Sequence, residues 1–467
     1  MMKADELERE PVMLRKHFFP AEYPPANGKA PKLAIVSAYD CLCGIAEYAY
    51  FVAQSLRKFA DVTIFVLDQE VFKCGSASSR ADADHLLREI CSELPSFDSV
   101  NLQFEPGTLG PSSRSAYHRF TQIVDASPDI SVTFHTFLDD VKESRGFWNE
   151  LRRFRLTAAF FGRSRSTSRY YLTTKPVAYL KNANKTKRAT CIVHTKREVE
   201  RLVRRHGFNR RLVFDHPLSY LSDAEVNQLK GSRMLQTLGL PSETVLLGVF
   251  GFISEYKGAD LAVDVLRMLP DNYHLVIAGG VHPHEAKHCV KKLNPFVQEI
   301  MAKILGQNSL DDPTQIQPSI LERVHFLGAQ ERDEFLQIMK DCDVVLLPYR
   351  EIGQTSSGPI SMAVDLKKRI IASRTAGFLE FAKYFPNRLE MFDQNNFIEL
   401  GQRIRSPQHL EKRSVACSWK TNAATYFSAS GFAAVAENQW REYEADNSPD
   451  SPVEESIEME LSKVEAA

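Results

Sequence analysis

Short apolar runs alternate with longer stretches of helical pattern from Pro31 onward. In the first half, the pattern predicts a helix at Gly44–Phe59 and strands at Lys32–Ser37, Val62–Leu67, Ser99–Phe104, Ser131–Phe134, Thr190–Val193 and Leu212–Phe214. Near-continuous apolar strands separated by helices are typical of a parallel sheet that is covered on both faces. The first half is therefore predicted to be an α/β domain.

The same alternation restarts after a linker near Leu221–Thr244. It predicts a helix at Gly258–Leu269 and strands at Leu246–Phe252, His274–Ala278, Val324–Leu327, Val344–Pro348 and Arg369–Ser373. Two doubly wound parallel-sheet domains that face each other enclose a cleft, and such sheets bind ligands beyond the carboxyl ends of their strands. The chemistry is therefore expected in the segments that directly follow the strands.

These patterns divide the 467 residues into five parts. We predict an N-terminal extension at 1–30, a first Rossmann-like domain at 31–225, a second at 226–420, a C-terminal helix at 421–446 and an acidic tail at 447–467. The first domain is a candidate packing partner for the C-terminal helix. The tail is rich in Ser, Pro and Glu, a composition that predicts disorder.

Composition narrows the class of protein and its setting. Hydrophobic residues make up 43% of the chain and charged residues 25%, which excludes collagen-like, coiled-coil and wholly disordered chains. No apolar run is long enough to span a bilayer, and residues 1–30 lack the apolar core of a secretory signal. The eight cysteines fit no disulfide framework in so long a chain, so a reduced, cytoplasmic setting is expected.

The sequence contains neither a G-x-G-x-x-G nor a G-x-x-x-x-G-K-[ST] loop, which disfavours a Rossmann dehydrogenase or a P-loop enzyme. Instead, Gly44 opens the helix after the first strand. Free N–H groups and the helix dipole favour an anion there, but a glycine that only allows a tight turn fits equally well. Cys41 and Cys43 form a lone C-x-C pair, so no zinc site is predicted.

Lys257 closes the segment Gly251–Lys257 and opens the next predicted helix. A lysine at a helix start opposes the helix dipole, so stability alone does not select it. A phosphate partner would explain Lys257, and so would an exposed lysine at a domain edge.

A loop of small residues, Ser356–Gly358, leads into the helix after the strand Val344–Pro348, with Gly358 as its cap and Pro359 at its first position. Small side chains let backbone N–H groups approach phosphate oxygens closely. Glu351 precedes the loop and could accept hydrogen bonds from sugar hydroxyls. An ordinary serine-rich helix cap with a solvated Glu is the alternative, but with Lys257 on a neighbouring strand end we favour phosphate.

Two polar side chains end strands of the first half, Glu105 within Gln103–Gly107 and His135 within Phe134–Thr136. A Glu or His that faces the cleft can position or polarise a hydroxyl. A lone histidine is more often structural, so His135 carries little weight by its type alone.

Taken in order, these segments resemble the retaining GT-B glycosyltransferases of family 4 over Pro31–Phe385. The motifs that carry the resemblance are Cys43–Tyr48 (CGIAEY), Gln103–Gly107 (QFEPG), Thr133–Thr136 (TFHT), Gly251–Gly258 (GFISEYKG), Ser356–Gly358 (SSG) and Ile370–Ser373 (IIAS). The resemblance implies a GT-B architecture and a hexosyltransferase-like, metal-independent enzyme. Such an enzyme moves a sugar, with retention, from a nucleotide-diphosphate sugar to a hydroxyl of a saccharide or lipid-linked acceptor, in bacterial-type polysaccharide or glycoconjugate synthesis.

The resemblance also implies roles for individual residues. Donor-binding residues would be Gly44, Gly251, Lys257, Tyr349, Glu351, Gln354, Thr355, Ser356, Ser357 and Gly358. His135, Lys257 and Glu351 would serve catalysis, with His135 beside the transferred sugar, and Glu105 and His135 would lie on the acceptor side. No metal or cofactor is expected, so cations and dipoles would stabilise the leaving group.

The chain departs from the family pattern at two positions. Pro359 stands eight residues after Glu351, where the family often has a second Glu assigned to ribose, and Phe252 replaces an arginine after Gly251. Arg350 is a candidate for the missing cation. These departures keep a second hypothesis open, a non-catalytic GT-B subunit that binds or scaffolds within a glycosylation complex.

The net charge of -1 hides a strongly basic segment. Residues 151–211 hold 18 lysines and arginines against two glutamates, a net charge of +16. Interleaved aromatic residues are Phe154, Phe160, Phe161, Tyr170, Tyr171 and Tyr179. An anionic acceptor or membrane surface fits this segment, and so does a solvated face opposed by the acidic remainder. No nucleic-acid-binding motif is present, so we expect no nucleic-acid partner. We expect a cytoplasmic location, with peripheral contact at the inner membrane face through residues 151–211.

Overall fold

The computed structural model describes residues 12–24, 29–137, 170–230, 233–281, 293–406, 417–434 and 437. Residues 151–169 of the basic segment and the predicted tail at 447–467 lie outside these ranges. The described residues form two sheets, one in each half of the chain.

The first sheet has the strand order β1-β3-β2-β4-β5-β6-β7. Its strands are β1 (Lys16–Phe19), β2 (Lys32–Ser37), β3 (Asp61–Val66), β4 (Ser99–Phe104), β5 (Ile130–Phe134), β6 (Ala189–Val193) and β7 (Val213–Asp215). Every pairing is parallel except that of β1 with β3. The six predicted strands are confirmed, and β1 is an edge strand that the sequence patterns did not predict.

The second sheet has the strand order β10-β9-β8-β11-β12-β13. Its strands are β8 (Val245–Phe250), β9 (Tyr273–Ala278), β10 (Val324–Gly328), β11 (Val344–Leu347), β12 (Arg369–Ser373) and β13 (Glu390–Phe392), and all of them are parallel. The predicted α/β class with two doubly wound sheets is therefore confirmed. The strand order reverses between β8 and β11, the place where doubly wound sheets bind ligands.

Helices connect the strands in both halves. They are α1 (Gly44–Leu56), α2 (Gln69–Phe72), α3 (Ala77–Glu93), α4 (Pro106–Leu109), α5 (Ser113–Ala126), α6 (Lys175–Ala183), α7 (Lys196–Glu200), α8 (Asp223–Gln228), α9 (Met234–Thr237), α10 (Ala259–Leu266), α11 (Pro295–Leu305), α12 (Arg332–Asp341), α13 (Gly358–Asp365), α14 (Ala376–Phe381), α15 (Phe397–Arg405) and α16 (Trp419–Ala429). Across the described ranges, no helix combines the length and apolar character needed to cross a membrane.

A single apolar cluster links the two sheets. On its first-domain side, α1 buries Tyr48 and Phe51, and burial of such a side chain stabilises the fold by about 1.5–3 kcal/mol. The same cluster contains Phe250 of β8 and reaches Tyr426 and Phe427 of α16. The two halves therefore share part of their core.

Helix α16 packs on the first sheet although it follows the second sheet in sequence. The Arg188 guanidinium donates to the carbonyls of Ser428 at 2.8 Å and Ala429 at 3.2 Å. The buried Thr190 hydroxyl of β6 also donates to the Ala429 carbonyl, at 3.1 Å. These bonds fix the end of α16 against β6 of the first sheet.

Gly258 is a position where the backbone requires glycine. Its φ is +70°, and a Cβ built there would lie 2.0 Å from the Pro348 carbonyl oxygen.

We expect Gly258→Ala to lower the free energy of unfolding by about 2 kcal/mol or more, because alanine is strained at this φ and its methyl group would clash with the main chain. Urea denaturation measures the change. Gly44→Ala is the matched control, since no atom lies within 4 Å of a Cβ at Gly44, and an equal loss in both variants would contradict the prediction.

Candidate functional site

The segments that follow β11 and β12 line an open pocket of the second half of the chain. The pocket brings together predicted donor-binding residues and side chains of α14, namely Tyr349, Glu351, Gln354, Thr355, Ser356, Ser357, Phe378 and Phe381. Gly358 follows as the first residue of α13, and the helix cap is Ser357 instead of the predicted Gly358. The sequence therefore located this loop correctly, with the helix start displaced by one residue.

Lys257 lies under this loop. Its prediction as the first residue of a helix is wrong: it ends the short 3₁₀ helix Glu255–Lys257, and Gly258 separates it from α10. The alternative of an exposed lysine is also wrong, because Lys257 is only 6% exposed. Gly251, at the end of β8, passes close to the amine, and a Cβ built there would lie 3.4 Å from Lys257 Nζ.

The Lys257 ammonium is buried against aromatic rings. Its Nζ donates to the Tyr349 hydroxyl and lies 4.3 Å from the centre of the Tyr349 ring. Burial lowers the pKa of Lys257, and the nearby Tyr256 partly raises it again. No carboxylate of the described residues contributes to this pKa shift. A buried charge is normally paired. Among the described residues, the Lys257 amine therefore contacts phenol groups and forms no ion pair with a carboxylate.

Tyr349 connects this cation to the loop of small residues. Its hydroxyl lies 3.4 Å from Ser357 Oγ, at the start of α13. Burial raises the pKa of Tyr349 well above its ordinary value, so it remains a neutral phenol. The N-terminal N–H groups of α13 and the Lys257 ammonium therefore lie on either side of one buried phenol.

Glu351 binds main-chain amides of its own domain. Its Oε1 accepts from the Gly353 N–H at 2.8 Å, and its Oε2 accepts from the Ala376 N–H at 2.6 Å. Ala376 is the first residue of α14, so the exposed carboxylate fixes the loop to a helix start. Each oxygen retains a lone pair, which leaves capacity for a further donor such as a sugar hydroxyl.

Gly44 is the first residue of α1, the helix that follows β2. The strand order of the first sheet reverses at this place, between β2 and β4. No packing contact requires a glycine, since no atom lies within 4 Å of a Cβ at this position. Next to it, a hydrogen bond with Cys41 and the N–H groups of Ile45 and Ala46 lower the pKa of Cys43 to about 6. The start of α1 therefore favours negative charge. Within the described residues, no group of three or more His, Cys, Asp and Glu side chains could hold a metal ion.

His135 lies at one of the contacts between the two halves. Its carbonyl accepts from the Thr355 hydroxyl at 2.8 Å and from Ser356 Oγ at 3.4 Å. Burial, and secondly the His194 ring, lower the pKa of His135 well below its ordinary value, so the imidazole is neutral. The structure therefore places His135 directly beside the predicted donor loop.

Glu105 follows β4 beside the same cleft. Burial raises the pKa of Glu105 to about 7, an effect that a hydrogen bond with Thr136 opposes. A carboxyl group with such a pKa can exchange a proton near neutral pH.

Arg350, the candidate for a second cation of the site, is paired within the protein. Its guanidinium donates to Asp260 Oδ2 at 2.6 Å and to the Glu255 carbonyl at 2.7 Å. Arg350 thus holds the turn that carries Lys257, and its charge is paired.

Sequence reasoning missed two charged residues of the cleft. Arg332 of α12 pairs with Glu47 of α1, and its guanidinium lies 3.7 Å above the centre of the Tyr50 ring. Glu198 is fully buried, and its Oε2 accepts from the main-chain N–H groups of His194 at 3.3 Å and Thr195 at 3.2 Å. Glu47 lies within the CGIAEY motif, which was the available signal for the first pair. Glu198 is the last residue of a T-x-x-E capping box that begins at Thr195, and this local pattern was the signal for it.

Comparison with known proteins identifies the fold of this chain. No protein-family model and no curated protein match the chain. Sucrose-phosphate synthase from Thermosynechococcus elongatus aligns with a TM-score of 0.52 at 12% identity, over 88% of this chain and 98% of that chain. HepE from Anabaena, solved with UDP and glucose, aligns with a TM-score of 0.49 at 16% identity, over 88% of this chain and 95% of that chain.

WaaG, a glycosyltransferase involved in lipopolysaccharide biosynthesis, aligns with a TM-score of 0.46 at 14% identity, over 91% of this chain and 98% of that chain. At 12% identity, the likeness to sucrose-phosphate synthase shows the fold alone. The predicted GT-B architecture, two parallel-sheet domains that face each other, is thereby confirmed.

The buried Glu198 carboxyl makes stability depend on pH. Burial raises the pKa of Glu198 to about 7, against about 4.3 in an unfolded chain. Its contribution to stability is therefore complete below about pH 4 and is lost as the pH rises through 7. Between pH 5 and pH 8 we expect wild type to lose about 1 kcal/mol or more relative to Glu198→Gln in urea denaturation. The exposed Glu200→Gln is the control, and parallel pH profiles for wild type and Glu198→Gln would refute the expectation.

Proposed function

We propose that this protein is a glycosyltransferase that moves a sugar, with retention of anomeric configuration, from a nucleotide-diphosphate sugar to a hydroxyl group. The observation that carries the proposal is the buried Lys257 ammonium, which has no carboxylate partner among the described residues and lies beneath a serine-rich helix start. A diphosphate supplies the negative charge that this arrangement lacks. A saccharide or lipid-linked acceptor, and a role in polysaccharide or glycoconjugate synthesis, belong to the same proposal.

The proposed reaction takes place on one face of the sugar. The bond between the anomeric carbon and the diphosphate oxygen breaks, and the acceptor oxygen bonds to that carbon from the same side. The departing diphosphate oxygen takes the acceptor proton, so no separate base and no metal are required. Lys257 and the N–H groups at the start of α13 stabilise the charge that develops on the leaving group.

The remaining site residues would orient the substrates. Glu351, already held by two main-chain N–H groups, would accept from donor sugar hydroxyls. His135 would lie beside the transferred sugar, and Glu105 would face the acceptor. Gly44 leaves open space at the start of α1, which suits approach of the diphosphate.

A screen of nucleotide sugars by thermal shift is the first test, because a ligand that binds the folded state raises the apparent Tm. Donor hydrolysis by the purified chain without a partner would exclude the alternative of a non-catalytic GT-B subunit. Failure of every nucleotide sugar to raise the Tm would contradict the proposed donor class. NMR of the product's anomeric signal then reports retention or inversion.

Replacement of the buried lysine tests the mechanism. We expect Lys257→Ala to lower kcat about a hundredfold, because the variant lacks the cation that stabilises the leaving diphosphate. The matched control is Lys367→Ala, whose lysine forms a surface ion pair with Asp223 and is 69% exposed. Steady-state kinetics measures both variants, with circular dichroism to verify folding. Wild-type turnover in folded Lys257→Ala would exclude this role.

The basic segment supports a peripheral contact with an anionic membrane. In its described part, Lys175 Nζ lies 4.3 Å from the centre of the Tyr171 ring, and Tyr170 is 48% exposed. Arg114 lies 5.7 Å from the same Tyr171 ring. Aromatic rings beside cations are suited to the interface of an anionic bilayer.

Vesicle sedimentation tests this contact. We expect binding to phosphatidylglycerol vesicles, loss of binding as salt rises from 0.1 to 0.5 M, and weaker binding of a Lys175→Glu, Arg114→Glu double variant, because exposed charges are screened by salt. Lys367→Glu, a charge reversal on the second domain, is the control. Binding that does not change with salt would contradict an electrostatic contact.

A further inference from the structure

The His135 imidazole lies at the end of a chain of buried amide and hydroxyl groups. His135 Nε2 lies 2.7 Å from Gln103 Oε1. An amide oxygen only accepts hydrogen bonds, so Nε2 carries the proton of the neutral ring and donates it to Gln103. Nδ1 is then the hydrogen-bond acceptor of the imidazole.

Hydrogen bonds of the Gln103 amide nitrogen fix the orientation of the amide. Gln103 Nε2 donates to Asn101 Oδ1 at 2.7 Å and to the Tyr426 hydroxyl at 3.1 Å. Asn101 Nδ2 in turn donates to the Ser131 hydroxyl at 2.8 Å and to the Ser131 carbonyl at 3.4 Å. A carbonyl cannot donate, so a 180° rotation of either amide would set two acceptors against each other.

Tyr426 brings α16 into this network. Its hydroxyl accepts from Gln103 and from Thr133 Oγ1, in each case at 3.1 Å. The side chains of Gln103, Thr133 and Tyr426 are all 0% exposed. Bulk water is thus kept away from these groups, and a broken hydrogen bond here leaves an unsatisfied buried group.

We propose that Gln103 and Tyr426 are positioning residues that hold His135 in the tautomer whose Nε2 donates into the protein and whose Nδ1 accepts. An accepting Nδ1 matches a ligand that donates a hydroxyl, as sugars do. The kinetic part of this inference rests on the proposed glycosyl transfer, whereas the tautomer is a property of the free protein.

The tautomer is measured directly by NMR of protein labelled with ¹⁵N in its histidine rings, with His135→Gln used to assign the signals. In wild type we expect a protonated Nε2 and an unprotonated Nδ1. In Tyr426→Phe and Gln103→Leu we expect a mixture of tautomers. Gln103→Leu removes the acceptor of the Nε2 proton, and Tyr426→Phe removes one of the two acceptors that orient the Gln103 amide. A wild-type ring protonated at Nδ1, or a tautomer unchanged in both variants, would overturn the proposal.

Kinetics separates positioning from a purely structural role. We expect Tyr426→Phe to lower kcat about tenfold while the KM for the nucleotide sugar stays within about twofold. The matched control is Thr190→Val, which removes another buried hydrogen bond between α16 and the first sheet without contact to Gln103 or His135. It is expected to lose comparable stability and to retain both kcat and the tautomer.

Equal losses of kcat in Tyr426→Phe and Thr190→Val would contradict positioning by Tyr426. If Tyr426→Phe does not fold, Gln103→Leu is compared with Thr190→Val in the same way. A wild-type protein with no transferase activity but with the expected His135 tautomer would refute the proposed function and leave the assignment of the ring intact.

Discussion

The hydrogen bond from the Thr355 hydroxyl to the His135 carbonyl joins the carboxyl ends of the two sheets. Both residues are buried, and the oxygen atoms lie 2.8 Å apart. In parallel sheets, the ends of all strands point the same way, so functional side chains collect at one edge of each sheet. Together with the shared apolar cluster, this bond places the loop Ser356–Gly358 beside His135, and Tyr349 links the same loop to the buried Lys257.

Three cations of this region differ in how their charge is balanced. Arg350 pairs with Asp260 and holds the turn before α10, while Arg332 pairs with Glu47 across the cleft. Lys257 is buried among phenol rings without a carboxylate partner in the described part of the chain. Burial of an uncompensated charge costs free energy, which a bound anion would offset. The charges of the two arginines are therefore balanced within the protein, and under the proposed function a diphosphate would balance that of Lys257.

Much of the fold followed from the sequence, because continuous apolar runs rich in β-branched residues distinguish buried parallel strands. The same patterns predicted that Lys257, Glu351 and Ser356–Gly358 lie in segments that follow strands. The four-residue edge strand β1 escaped prediction, since it has no continuous apolar run. Short elements and edge strands leave too little periodicity to be recognised in a single sequence.

The burial and the pairing of each site residue could not be predicted from these sequence patterns. The burial of Lys257, the pairing of Arg350 with Asp260 and the pairing of Arg332 with Glu47 all depend on residues distant in sequence. Periodicity reports which face of an element is apolar, but it carries no information on which polar side chain meets another across the core. The network beneath His135 is of this kind, since its two ends are 323 residues apart.

That separation has a consequence for synthesis of the chain. Gln103 and Thr133 leave the ribosome long before Tyr426, which lies 323 and 293 residues further along. Until then, their amide and hydroxyl groups have no partner from α16 and must remain hydrated, since burial without hydrogen bonds costs free energy. N-terminal domains usually fold first during synthesis. Here the first domain is synthesised first, but the buried network at Gln103 is completed only when α16 has been translated.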